Sequence, residues 1–93
     1  MAMDPAEAWR KCFENWPDDL PRRGVIVVSF DEQIPFANFS ASGEMLLVER
    51  RAPDTVGARF VLLPYQNVVG LKIVDVVKPK VFSAMGFNVV AGK

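Results

Sequence analysis

The fold is decided by residues 24–75, GVIVVSFDEQIPFANFSASGEMLLVERRAPDTVGARFVLLPYQNVVGLKIVD. β-Branched and aromatic residues fill five short runs of this segment, and turn-forming residues separate the runs. The runs predict strands at about 24–30, 33–40, 44–51, 58–64 and 67–75. Pro35 indicates a bulge or an edge position in the second strand, because proline has no backbone N–H to donate. The short connections favour an antiparallel meander.

One helix is predicted before the strands, at about residues 5–15. Asp4 is a typical N-cap, Pro5 suits the first helical position, and Glu7 completes a capping-box spacing. An apolar stripe follows at helical spacing and consists of Ala6, Trp9, Phe13 and Trp16. A stripe of this kind is typical of core or interface residues.

The strands carry apolar residues on both faces. A sheet with one solvated face alternates apolar and polar residues, whereas VIVV (25–28), MLLV (45–48) and VLL (61–63) do not alternate. A length of 93 residues leaves room for one domain, so we expect a single domain over residues 1–93. Its fold class is mainly β: an N-terminal α-helix followed by a five-stranded bent antiparallel sheet that closes into a small SH3-like barrel. The helix covers one face, and partner subunits cover the remainder.

An apolar arm is predicted at residues 76–93, VVKPKVFSAMGFNVVAGK. It is too apolar for a solvated tail. Two interpretations stay open: the arm folds onto its own barrel, or it docks on a neighbouring subunit.

Composition limits the chemistry that the chain can perform. Its 93 residues contain 11 basic and 11 acidic side chains, one Cys and no His. The commonest general base is absent, and one Cys makes neither an internal disulfide nor a thiolate zinc site. We expect a non-enzymatic protein without catalytic residues, metal or cofactor, and no small-molecule substrate is evident. No apolar run approaches the ~20 residues that cross a bilayer, and no signal-peptide pattern is present, so the expected location is cytoplasmic and away from membranes.

The order of one helix and five short bent strands resembles the Sm-like family, which includes the spliceosomal Sm proteins and the bacterial host-factor RNA chaperone. The resemblance covers about residues 4–75. SGEMLLVE (42–49) is similar to the family motif D-x-x-M-N-L-x-L, and PYQNVVGL (64–71) is similar to R-G-D/N-N-V-x-x-I. The matching structural positions are Met45, Leu47, Asn67, Val68 and Leu71.

The resemblance implies a closed homo-oligomeric ring in which the fourth strand of one subunit pairs with the fifth strand of the next. The predicted function is a non-catalytic assembly or binding module whose partner is a second copy or another protein. The predicted subunit interface comprises Phe60, Leu62, Val69, Leu71, Ile73, Phe82 and Phe87.

The alternative function is a ring that binds single-stranded RNA. The family's RNA-contacting motif positions are not retained, since Leu46 and Pro64-Tyr65 occupy them. Arginines at the strand ends would hold phosphate instead, and Tyr65 would stack on a base. The candidate RNA-binding residues are Arg22, Arg23, Arg50, Arg51 and Tyr65. They are otherwise expected to pair with nearby acids or to lie in solvent.

Three other features have a structural and a functional interpretation. Lys11 and Arg10 beside Cys12 would lower its thiol pKa, but a packed thiol is expected because no His or second Cys supports it. Asp18-Asp19 and Asp31-Glu32 would suit a hard cation or acid–base chemistry. Consecutive carboxylates on connectors are more often solvated turn residues.

Overall fold

A computed structural model describes residues 4–29 and 32–88. The helix α1 spans Pro5–Glu14 and is followed by a five-stranded sheet. The strands are β1 (Gly24–Val28), β2 (Gln33–Ala41), β3 (Met45–Arg50), β4 (Phe60–Pro64) and β5 (Val68–Lys72). Short 3-10 helices lie at Tyr65–Asn67 and Pro79–Met85. The predicted helix and all five strands are confirmed, and each strand begins or ends within a few residues of its predicted bounds. Residues 30–31, at the predicted end of the first strand, lie outside the described part.

The five strands form one antiparallel sheet in the order β4-β3-β2-β1-β5. The predicted meander holds from β1 to β4, whereas β5 returns to pair with β1. β4 and β5 are therefore the two outer strands, and they are not hydrogen-bonded to each other. The sheet is open, so the predicted closure into a barrel is not confirmed.

β2 runs through the middle of the sheet although it contains Pro35. The register of β2 against β3 shifts between Phe36 and Asn38, directly after the proline. Of the two predicted explanations for Pro35, the structure supports the bulge and excludes the edge, because β2 pairs with β1 on one side and β3 on the other.

The core lies between α1 and one face of the sheet. Phe13 of α1 stacks on Trp16 at a centroid distance of 5.7 Å and meets the Phe39 ring edge-on at 5.0 Å. The sheet contributes buried Phe36, Leu46 and other apolar side chains to the same cluster. The aromatic stripe predicted on the helix is thus a core feature.

α1 begins where the sequence predicts, but without the predicted side-chain cap. Asp4 occupies the N-cap position and Pro5 is the first helical residue, yet the Asp4 side chain accepts no capping hydrogen bond. Only its backbone oxygen bonds, accepting from the Ala8 N–H at 3.0 Å. Within the described residues, no helix combines the length and apolarity that crossing a membrane requires.

The described part of the C-terminal arm folds back on its own chain. Val77, Val81, Phe82 and Met85 are half-buried against the core cluster. The 3-10 helix ends at Gly86, whose φ of 95° is the left-handed conformation that favours glycine. Residues 76–88 thus pack partly on their own chain, docking of the arm on a neighbouring subunit stays a prediction, and residues 89–93 lie outside the described part.

Candidate assembly surface

The outer edges of β4 and β5 are unpaired within the described part of the chain. β4 bonds only to β3, and β5 bonds only to β1. No backbone hydrogen bond joins either outer edge to another described segment. Two rows of backbone donors and acceptors are therefore free to pair with another strand.

β4 presents large apolar side chains next to its free edge. Phe60 is 58% exposed and Leu62 is 65% exposed, whereas Leu63 points into the core. Leu62 lies opposite Leu47 of β3, which is half-buried on the same outer face. β4 thus carries apolar side chains on both of its faces, as the sequence predicts.

The apolar side chains of β5, and that of Ile73 directly after it, lie partly at the strand edge and partly against the core. Val69 is 59% exposed and lies where the pairing of β1 with β5 shifts register between Val27 and Val28. Leu71 and Ile73 are half-buried and pack against the chain's own core cluster.

The two phenylalanines of the arm also differ in their surroundings. Phe82 packs partly against the core cluster, and Phe87 is 62% exposed. Of the seven predicted interface residues, the structure therefore leaves Phe60, Leu62, Val69 and Phe87 exposed, and it gives Leu71, Ile73 and Phe82 partners within the chain. Whether any of them contacts another subunit stays a prediction.

Several of the predicted RNA-binding residues lie near one row of the sheet, at the register shift midway along β2. Gly24, which follows Arg23, pairs with Phe36, and Phe36 pairs with Arg50 on its other side. The Arg50 N–H donates to the Arg59 backbone oxygen at 2.8 Å, so a fifth arginine lies in the same row. The topology thus brings together residues that are far apart in the sequence.

Two of these arginines have side-chain partners inside the chain. The Arg22 guanidinium lies 3.9 Å from the Phe39 ring centroid and donates to the Phe39 backbone oxygen at 2.6 Å. The Arg23 guanidinium donates to the Asp75 carboxylate at 2.9 Å. The expected pairing with acids nearby in sequence is not what the structure shows for these two residues, because Arg22 binds a backbone oxygen and an aromatic ring and Arg23 binds the distant Asp75.

The side chains of Arg50 and Arg51 make fewer hydrogen bonds to the described residues than those of Arg22 and Arg23. Arg50 Nε donates to the Ala52 backbone oxygen at 3.0 Å, and Arg51 uses its backbone N–H to donate to the Pro35 oxygen at 3.1 Å. Arg51 is exposed, and its positive charge adds to the lowering of the Asp75 pKa that the hydrogen bond from Arg23 produces first.

Tyr65 is buried, with 3% of its surface exposed. Its ring centroid lies 6.4 Å from that of Phe13, and its hydroxyl donates to the Ser42 backbone oxygen at 3.2 Å. Burial raises the pKa of this hydroxyl. Stacking on a base needs an open ring face, and the Tyr65 ring is packed beneath α1. RNA binding by the chain remains a prediction.

Nothing in the described residues supports a reactive thiol at Cys12 or a metal or acid–base site at the acid pairs. Cys12 is half-buried, and burial raises its thiol pKa, so the lowering by Lys11 and Arg10 is not what the structure shows. Asp18, Asp19 and Glu32 are exposed, and Asp31 lies outside the described part. Across residues 4–29 and 32–88, no three His, Cys, Asp or Glu side chains are grouped closely enough to hold a metal ion.

Comparison with known proteins gives no family. The chain matches no protein-family model, and neither the curated proteins nor the solved structures contain a significant match. The Sm-like resemblance therefore stays a prediction based on sequence pattern.

One surface feature is not evident from the sequence pattern. A groove runs between α1, β5 and the 3-10 helix at Pro79–Met85, with Trp9 and Met85 among its lining residues. Trp9 and Met85 are seventy-six positions apart along the chain, and the paired position of β5 and the return of the arm bring them together.

Proposed function

We propose that the chain is a non-catalytic assembly module whose copies associate through the outer edges of β4 and β5. The observation that carries the proposal is that, among residues 4–29 and 32–88, both outer strands have unpaired edges and exposed apolar side chains. A free apolar edge strand in a soluble protein aggregates unless another strand or segment covers it. A second copy of the chain offers the complementary strand.

The strand order supports a ring. In the Sm-like family that the sequence resembles, the fourth strand of each subunit pairs with the fifth strand of its neighbour, which requires both strands to be outer strands. β4 and β5 occupy those places here. Two different edges that pair head to tail form a heterologous contact, and such a contact closes into a ring when the rotation between subunits permits. Closure into Sm-like geometry is part of the proposal.

The side chains on the two edges suit this pairing. Phe60 and Leu62 of one copy would cover Val69 of the next and remove all three from water. Burying a large apolar side chain stabilises an interface by roughly 1.5–3 kcal/mol before the cost of association is included. β-Strand addition supplies the main-chain hydrogen bonds that fix the register.

The test is a pair of lysine variants measured by light scattering after size-exclusion chromatography. Leu62→Lys places a charge on the β4 edge at a position that is 65% exposed, so the subunit is expected to fold. Val56→Lys is the matched control, because Val56 is 86% exposed in the loop before β4 and not on the edge.

We expect Leu62→Lys to lose the assembly and Val56→Lys to keep it. Val69→Lys, on the opposite edge, is expected to behave like Leu62→Lys. The proposal is wrong if both edge variants keep the assembly mass of the native chain while their circular dichroism spectra remain native.

A further inference from the structure

Two adjoining cavities form one groove along α1. One has a volume of about 480 Å³ and the other about 580 Å³. Trp9, Cys12, Met85 and Phe87 line both cavities. The shared lining makes the two cavities one continuous groove, and each cavity falls in the range of about 300–1,000 Å³ that is typical of small-molecule sites.

The larger cavity is apolar. Besides the shared residues, Leu20, Leu71, Ile73 and Phe82 line it, and Asn88 is its one amide. Leu71, Ile73, Phe82 and Met85 are only half-buried by the chain itself. Within the described part of the chain, this end of the groove therefore leaves apolar surface uncovered beside one neutral polar group.

The smaller cavity supplies the polar end. Lys11 and Asn15 line it together with Ala8 and Ala84. Among the described residues that line the two cavities, Lys11 is the one charged side chain and no carboxylate is present. The Asn15 side-chain amide donates to the Lys11 backbone oxygen at 2.9 Å, which ties the two polar residues together.

We propose that this groove binds a linear amphiphile with one negative charge, of the chemical class of medium-chain fatty acids. The carboxylate lies beside the Lys11 ammonium, and the alkyl chain extends between Trp9 and Met85 into the apolar cavity. Among the described lining residues, a single cation with no carboxylate beside it favours an anionic head group, and the adjoining apolar cavity favours an alkyl tail.

Cys12 provides the direct test because it is the single cysteine of the chain and lines both cavities. The native protein is labelled with a thiol-reactive maleimide at fixed pH, with and without decanoate below its micellar concentration. We expect decanoate to slow labelling severalfold and saturably. An unchanged labelling rate at every decanoate concentration overturns the proposal.

Two comparisons of ligands distinguish the contribution of the charged head group from that of the alkyl tail. Each methylene buried in the groove should tighten binding by about fourfold, so octanoate should bind more weakly than decanoate. Decanol has the same tail without the charge and should also bind more weakly. Affinity that does not depend on chain length would contradict the apolar site.

Lysine variants test the head group. Lys11→Gln should weaken decanoate by about threefold, as expected for an exposed ion pair, and should leave decanol unchanged. Lys80→Gln is the matched control, because Lys80 lines a different cavity with Asp18 and Asp19. Equal losses in both variants would show a general charge effect and overturn the assignment of Lys11.

Leu62→Lys distinguishes decanoate binding in the groove from decanoate binding at the assembly surface. Leu62 does not line the groove, so the variant should protect Cys12 as the native chain does, whatever its assembly mass. Loss of protection in this variant would show that decanoate binds the exposed apolar edge and not the groove.

Discussion

The Arg23 guanidinium binds the Asp75 carboxylate with Nε 2.9 Å from Oδ2 and Nη2 2.9 Å from Oδ1. Arg23 directly precedes β1, and Asp75 lies three residues after β5. The ion pair therefore links the start of β1 to the segment that connects β5 with the C-terminal arm. The bond lowers the pKa of Asp75 and raises that of Arg23.

Thermal stability should depend on Asp75 in a pH-dependent way. Because its folded pKa is lowered, its contribution is complete above the unfolded value of about 3.9 and is lost as the pH falls through the folded value. We expect Asp75→Asn to melt below the native protein at about pH 6 and the difference to shrink below about pH 4. Melting followed by circular dichroism across this range measures it.

Asp54→Asn is a second variant to measure in the same titration. The pKa of Asp54 is also lowered, first by the Ala58 backbone N–H, which donates to Oδ1 at 2.8 Å. This carboxylate acts within the loop before β4 and not between strands, so the Asp54 and Asp75 effects should add. A melting difference between native and Asp75→Asn that is the same at all pH values would contradict the role of the Arg23 pair.

Phe13 should be the most costly side chain of α1 to remove. It contacts the rings of Trp9, Trp16, Phe39 and Tyr65 and is 2% exposed. Truncation of a buried phenylalanine to alanine costs about 3–5 kcal/mol. Urea denaturation should show a loss of this size for Phe13→Ala and a smaller loss for Phe13→Leu.

Lys11→Ala is the control for Phe13→Ala, because Lys11 is an exposed residue of the same helix. Lys11→Ala should change the free energy of unfolding by no more than about 0.5 kcal/mol. If Phe13→Ala were as mild as Lys11→Ala, α1 would not be part of the core.

Gly24 should be intolerant of any side chain. A Cβ at this position would overlap the backbone oxygen of Lys72, because β1 and β5 are paired neighbours in the sheet. We expect Gly24→Ala to lower the free energy of unfolding by about 1–3 kcal/mol, as is typical of overpacking. Gly43→Ala is the matched control because a Cβ added there would have no other atom within 4 Å. An equal loss in both variants would exclude steric contact as the cause.

The strands and the helix were predictable from local pattern. The stripe that contains Phe13 and Trp16 has helical spacing, and β-branched runs punctuated by Gly and Pro mark the strands. The pairing of β5 with β1 was not predictable in this way, because strand order depends on contacts between distant segments. For the same reason the sequence does not show that the sheet stays open.

The surroundings of single side chains were the least predictable feature. Tyr65 is a polar aromatic residue beside a turn, and its burial follows from the position of α1 above the sheet. Arg23 has acids nearby in sequence, yet its partner is fifty-two residues away. Asp4 has the right type and place for a cap but makes no side-chain bond.

RNA binding is the alternative function, and the row of arginines allows it to be tested. Since Arg22 and Arg23 already bind groups of the protein and the Tyr65 ring is buried, we expect no filter binding of A-rich or U-rich oligonucleotides at ~50 mM salt. Binding that weakens steeply with salt, and that Arg51→Gln reduces further, would favour the RNA-binding ring over the assembly module.

The assembly proposal requires that one copy leave sheet edges that another copy covers, and native mass spectrometry at low micromolar concentration detects such an assembly without any variant. We predict one dominant species whose mass is an integer multiple, greater than one, of the 10.4 kDa chain. A monodisperse species at 10.4 kDa would contradict the proposal.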